Sequence, residues 1–148
     1  MKPYRLHASL GYKLSIAARL QERRLDDGLK DLGLTRTTWC VLLALGNEGL
    51  TQPSDIARFI GIDRTATSRA LRQMEAAGLL DRQTGDGDRR TTRVTLTDAG
   101  AALIARGTPM AMANNQAMQA RLTEAEYSRL VSLLEKVITK ENPDLSVL

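Results

Sequence analysis

The sequence predicts a mainly α-helical chain, six helices long, with one small β-hairpin set among them. Three observations carry that expectation. Apolar residues recur at helical spacing toward both ends of the chain, cap residues and glycines punctuate the runs between, and only residues 79–96 change to short alternating segments.

Residues 1–5 read as a short basic arm. Leu6, Leu10, Leu14, Ala17, Leu25 and Leu29 then mark one stripe of a long amphipathic helix from Leu6 to Leu29, with the polar cluster Gln21-Glu22-Arg23-Arg24 between them. Gly33 ends that region. Thr35 caps a second helix, and Leu34 and Trp39 have the spacing of a hydrophobic staple. The run from Trp39 to Leu45 is apolar on nearly every face, which predicts a buried helix stopped by Gly46 and Gly49. A short third helix is expected over Gln52–Ile60, capped by Thr51, with Ile56, Phe59 and Ile60 on one face. Gly61-Ile62 makes a tight turn, Asp63 caps a fourth helix reaching Ala77, and Gly78 closes it.

The period then changes. Residues 79–83 and 91–96 read as two strands around the turn-forming stretch Thr84-Gly85-Asp86-Gly87-Asp88-Arg89-Arg90, a long-looped hairpin. Thr97-Asp98 caps a fifth helix to Arg121, within which Pro109 is expected to kink or interrupt the coil. Thr123-x-x-Glu126 is a capping box for a sixth helix, whose stripe is Tyr127, Leu130, Val131, Leu134, Val137 and Ile138. Glu141-Asn142-Pro143 ends it.

The chain of 148 residues fits one domain, and aromatics amount to only 3%, so its core must be built chiefly from aliphatic side chains. A net charge of +4 favours a polyanionic partner, and its distribution sharpens the point. Residues 51–97 hold eight Arg and no Lys against six acidic residues. The planar guanidinium fork matches phosphate oxygens and the guanine edge in a way an ammonium does not.

Helix, tight turn, helix, strand, loop, strand is the order of a winged helix-turn-helix. On residues 63–77, Ala66, Ala70, Met74 and Ala77 share one side, with Leu71 at its margin, whereas Thr65, Ser68, Arg69, Arg72 and Ala76 share the other. A face of short hydroxyls and arginines suits a helix entering a major groove. Arg64, Thr65 and Thr67 lie in its first turn, where backbone N–H groups also favour a phosphate. The candidate DNA-recognition residues are therefore Arg64, Thr65, Thr67, Ser68, Arg69 and Arg72.

The segment Asp88-Arg89-Arg90-Thr91-Thr92-Arg93-Val94-Thr95-Leu96-Thr97, followed by Gly100, resembles the wing of the MarR family of regulators: D-x-R, five residues, then L-T. Asp63 to Arg69, Met74-Glu75, Gly78 to Arg82, and Leu34-Thr35 with Trp39 are similar to that family's recognition helix, its exit and its second helix. The resemblance covers nearly the whole chain, 1–148. It implies that Arg90 reads a minor groove, with Asp88 able to pair with Arg90 and orient its fork and Arg89 at phosphate or loop contacts. It implies a winged helix-turn-helix lobe over residues 35–97, with 6–30 and 98–141 as dimerisation helices. Leu6, Leu10, Leu14, Leu130, Leu134, Val137 and Ile138 are the interface candidates. A homodimer would bind a pseudo-palindromic duplex. Repression, the commoner outcome in the family, is expected, with release by a small aromatic or phenolic effector.

Other classes find less support. No nucleophile–base pair or nucleotide fingerprint suggests an enzyme, and no cofactor is implied. Cys40, the single cysteine, is expected to be a sluggish structural thiol rather than a redox sensor. His7, the single histidine, has no ligand cluster near it, so no metal is expected. Met110, Met112 and Met118 could line an effector pocket but fit packing better. No signal-like or membrane-spanning run is seen, so the expected location is the cytoplasm.

Overall fold

Ser9 decides where the first long helix begins. Its hydroxyl accepts the N–H of Tyr12 and donates to the Leu6 carbonyl, closing a 3₁₀ turn at Leu6–Ala8 and capping α1, Leu10–Lys30. The helix expected from Leu6 is therefore split, and Leu6 lies in the turn ahead of it. The computed structural model describes residues 2–85 and 92–141. Within them follow α2 (Arg36–Gly46), α3 (Pro53–Ile60), α4 (Arg64–Ala76), β1 (Leu80–Gln83), β2 (Arg93–Leu96), α5 (Asp98–Gln119) and α6 (Glu124–Glu141).

Thr35 caps α2 reciprocally with Thr38: each side chain accepts the other's backbone N–H, at 3.2 and 2.9 Å. Trp39, Val41, Leu42, Ala44 and Leu45 are buried, and Leu34 joins the same core. Cys40 and Leu43 are only half-buried, so α2 is less enclosed than its composition predicts. Pro53 opens α3, where its missing N–H costs nothing, and Gln52 stands at the cap. Thr51, the expected cap, is used otherwise: its carbonyl accepts the Val94 N–H at 2.8 Å, pinning β2 to the start of α3. Ile56 is buried and Ile60 packs at the core edge, but Phe59 stands half out in solvent.

Gly61 adopts φ 75°, a left-handed conformation that only glycine takes cheaply, and this turns the chain from α3 into α4. Asp63 caps α4 by accepting the Ala66 N–H at 2.8 Å. The inner face of α4 is Thr67, Ala70, Leu71 and Met74. Leu71 is fully buried rather than marginal, and Ala77, expected inside, is exposed because it falls beyond the last turn.

The strands pair antiparallel with Leu80 opposite Leu96 and Arg82 opposite Val94. Leu80 and Val94 are fully buried and carry the hairpin base into the core. Thr97 caps α5 through the Gly100 N–H and donates its hydroxyl to the Gly78 carbonyl at 2.7 Å, so one side chain joins the ends of α4 and β2 to α5. Gly100 allows that approach: a Cβ there would fall 2.2 Å from the Leu79 carbonyl oxygen. α5 runs through Pro109 as one helix, so of the kink or interruption expected there the interruption does not occur.

α5 packs along α1 and across α2. Arg36 of α2 also reaches back to α1, 2.6 Å from Glu22 and 2.8 Å from Asp26. The expected capping box starts α6, with Glu126 accepting the Thr123 N–H at 2.8 Å. Among the described residues, α6 makes at most marginal contact with the rest of its protomer.

Candidate nucleic-acid interface

Between Arg64 and Met74 the chain places three arginines and no carboxylate. Arg64, Thr65, Ser68, Arg69 and Arg72 are all exposed, together on the outer face of α4. Packing fixes that face, because Ala70, Leu71 and Met74 occupy the opposite side. Arg72 Nε donates to the Ser68 carbonyl at 3.3 Å, a weak tether along the helix axis. Thr67 does not share the outer face. It is 2% exposed, and its hydroxyl donates to the Asp63 carbonyl at 2.9 Å, so it packs the first turn instead of presenting a donor.

Beside this face lies a cleft of about 560 Å³, lined by Gln52, Pro53, Ser54, Arg64, Thr67, Ser68, Leu71, Arg82 and Thr92. It joins the N-terminus of α3 and the first half of α4 to the base of the hairpin. Asp88, Arg89 and Arg90 lie outside the described residues.

The sequence reading missed one part of this region. Arg82 Nε and Nη2 both donate to Glu75 Oε2, at 2.8 and 2.5 Å, linking the last turn of α4 to β1. The Arg82 guanidinium holds the Glu75 carboxyl below its ordinary range. A signal was present: strand alternation places Arg82 on the same side as buried Leu80, where a charge calls for a partner.

The interface candidates lie in the N-terminal turn, α1 and α6. Leu6, Leu10, Leu130, Val137 and Ile138 are exposed, and Leu14 and Leu134 are half-exposed. Tyr4 and Leu20 add to the exposed apolar area of the N-terminal region.

A second cleft, about 770 Å³, separates α1 from α2 and the α3–α4 turn. Leu25, Leu34, Cys40, Ile60 and Ile62 give it apolar walls, Lys30 and Arg36 bring positive charge, and Glu22 and Asp26, both paired with Arg36, bring negative charge. Burial raises the Cys40 thiol above its ordinary range, and Arg36 offsets part of that. None of the three methionines singled out from sequence lines this cleft. Met110 packs beside Gly28 of α1, while Met112 and Met118 are exposed. His7 stacks on Tyr12 with ring centroids 4.6 Å apart. No helix among the described residues is long and apolar enough to cross a membrane.

Comparison with known proteins agrees with this geometry. The model of the MarR family matches residues 32–91. BpsR of Bordetella bronchiseptica, whose DNA binding is regulated by 6-hydroxynicotinic acid, is similar at 28% identity and TM-score 0.84, over 95% of this chain and 100% of that one. A probable transcriptional regulator from Pseudomonas aeruginosa is similar at 27% identity and TM-score 0.79, over 90% and 99%. A MarR variant from E. coli, complexed with operator DNA, is similar at 26% identity and TM-score 0.77, over 86% and 92%.

Proposed function

We propose that the chain is a MarR-family regulator: a sequence-specific DNA-binding transcriptional regulator, acting as a homodimer and repressing. The family-model match over residues 32–91 and the likeness to solved regulators of that kind support this reading. The outer face of α4 carries the proposal. Five polar side chains, three of them arginine, share a surface held rigid by the core beneath it, and no carboxylate falls between Arg64 and Met74. Guanidinium forks there can pair with purine edges or phosphates, and the short hydroxyls keep the helix slim enough to enter a major groove.

Arg64, Thr65, Ser68, Arg69 and Arg72 are assigned to the major groove and its flanking phosphates. The wing motif adds Arg90 in the minor groove, supported by Asp88 and Arg89. Thr67 serves the helix from within. The expected test is a gel shift at fixed salt: Arg69→Ala and Arg90→Ala each weaken binding more than about tenfold, as loss of a charge-assisted fork to DNA does, while thermal unfolding stays unchanged. Unaltered affinity in either variant removes that residue from the interface.

Dimerisation through residues 6–30 and 98–141, with 35–97 as the DNA-binding lobe, is supported by the exposed apolar residues of α1 and α6 and by the scant cover α6 finds within its protomer. Two recognition helices related by a two-fold would read a pseudo-palindrome. The cleft between α1 and α2 suits a small aromatic effector, with Lys30 available to an acidic substituent while Arg36 is held by Glu22 and Asp26. Its binding would shift the lobes relative to the dimerisation helices by differential affinity for two arrangements. No enzymatic activity is assigned, and the working location is the cytoplasm.

A further inference from the structure

The Glu75–Arg82 pair sits where neither residue is favoured locally. Glu75 lies in the last turn of α4, at the negative end of the helix dipole, a place better suited to a cation. Arg82 holds an inward position of β1, between fully buried Leu80 and the rim of the interface cleft. Each is in place because of the other: two N–H groups of Arg82 converge on one oxygen of Glu75, with both side chains about one-third exposed.

The placement matters because the hairpin is slight. Two strands of four residues are marginal without outside support. Leu80 and Val94 anchor its base in the core, and the Val94 N–H bond to Thr51 fixes β2 against the start of α3. The Thr97 hydroxyl bonds the Gly78 carbonyl just past α4 and so holds the end of β2. The ion pair adds a side-chain link from the last turn of α4 to β1, the strand that leads out toward the wing.

We infer that Arg82, held by Glu75, is a positioning residue that sets the angle between the recognition helix and the wing, so that both meet the duplex without further ordering. The inference rests on the DNA-binding reading. A pair that orients two reading elements contributes to discrimination between sequences, whereas phosphate contacts supply affinity for any duplex.

Glu75→Gln separates positioning from direct contact. If Arg82 touched DNA itself, neutralising Glu75 would leave its guanidinium freer for phosphate and binding would hold or tighten. If Arg82 positions, binding to a specific site falls. The full-length chain is used to select a duplex from a random pool. Affinities are then measured for that duplex and for a random duplex of equal length, at one salt concentration, with thermal unfolding alongside.

The expected result for Glu75→Gln and Arg82→Gln is a loss of about tenfold on the selected duplex, the scale of one well-made base contact, and under about twofold on the random one. Unfolding temperature moves by no more than a few degrees. The exchanged double variant, Glu75→Arg with Arg82→Glu, recovers most of the loss. Equal losses on both duplexes, or unchanged or tighter binding by Glu75→Gln, overturn the inference. Should Arg82→Gln unfold, Glu75→Gln alone decides by the same criteria. A wild-type chain that enriches no duplex refutes the DNA-binding reading instead, an outcome distinct from wild-type binding with indifferent variants.

Discussion

The backbone of Gly107 lies against the indole of Trp39, so close that a Cβ on the glycine would fall 2.5 Å from Cζ3 and 2.8 Å from Cη2. Both residues are buried, and the contact sets how α5 crosses α2. An indole is rigid and cannot retract like the end of a flexible chain. Gly107→Ala is therefore expected to destabilise the fold by about 1–3 kcal/mol, the usual cost of overpacking, despite alanine's better helix propensity. Urea unfolding followed by circular dichroism checks it. A variant as stable as wild type would show that the helices can part without cost.

Thr97 offers a test of the joint between the lobe and α5. Its hydroxyl both caps the helix and bonds the Gly78 carbonyl. Thr97→Ala should lose about 1–2 kcal/mol, the cost of an N-cap plus a neighbouring bond. Thr97→Ser should recover most of that, since serine keeps the oxygen. Equal losses in both variants would assign the effect to the methyl group instead.

Cys40 should behave as a slow thiol. Desolvation favours its neutral form, so the thiolate is scarce at pH 7 and alkylation should accelerate only as pH rises beyond the ordinary thiol range. Arg36 works in the opposite direction by favouring the anion. Arg36→Ala is thus expected to slow iodoacetamide labelling further at a given pH. Faster labelling would mean that losing the Glu22 and Asp26 contacts opens the cleft more than it removes charge.

Acid should fray the start of α6. Accepting the Thr123 N–H lowers the Glu126 carboxyl, so its contribution is present above the ordinary carboxylate range and is lost as pH falls through the lowered value. Hydrogen exchange at the first turn of α6 should rise in that window. Glu126→Gln, which keeps an acceptor without titrating, should flatten the response.

Much of this was legible because cap chemistry acts at fixed spacing. Thr35, Asp63, Thr97 and the Thr123–Glu126 box all stand where local hydrogen bonding requires. Failures had two sources, a partner in another element at Thr51 and Arg82 and an unread local bond at Thr67 and Leu6. Thr51 looked like a cap, but its carbonyl is taken by Val94, which no local pattern encodes. Thr67 looked like a surface hydroxyl of the first turn, yet its one bond runs back along the helix and its side chain fills the space beneath. Arg82 stayed hidden because its partner lies across a turn in a different element. Leu6 shared the stripe of the first helix, but Ser9 offers a better cap than any residue before Leu6.

Trp39 is the chain's single tryptophan, and its place between α2 and α5 makes the protein its own fluorophore. Emission from that indole reports the spacing of those two helices without any attached dye. A ligand that moves one against the other would announce itself as a shift in wavelength or intensity, so candidate compounds could be screened by titration in a cuvette before any promoter is known.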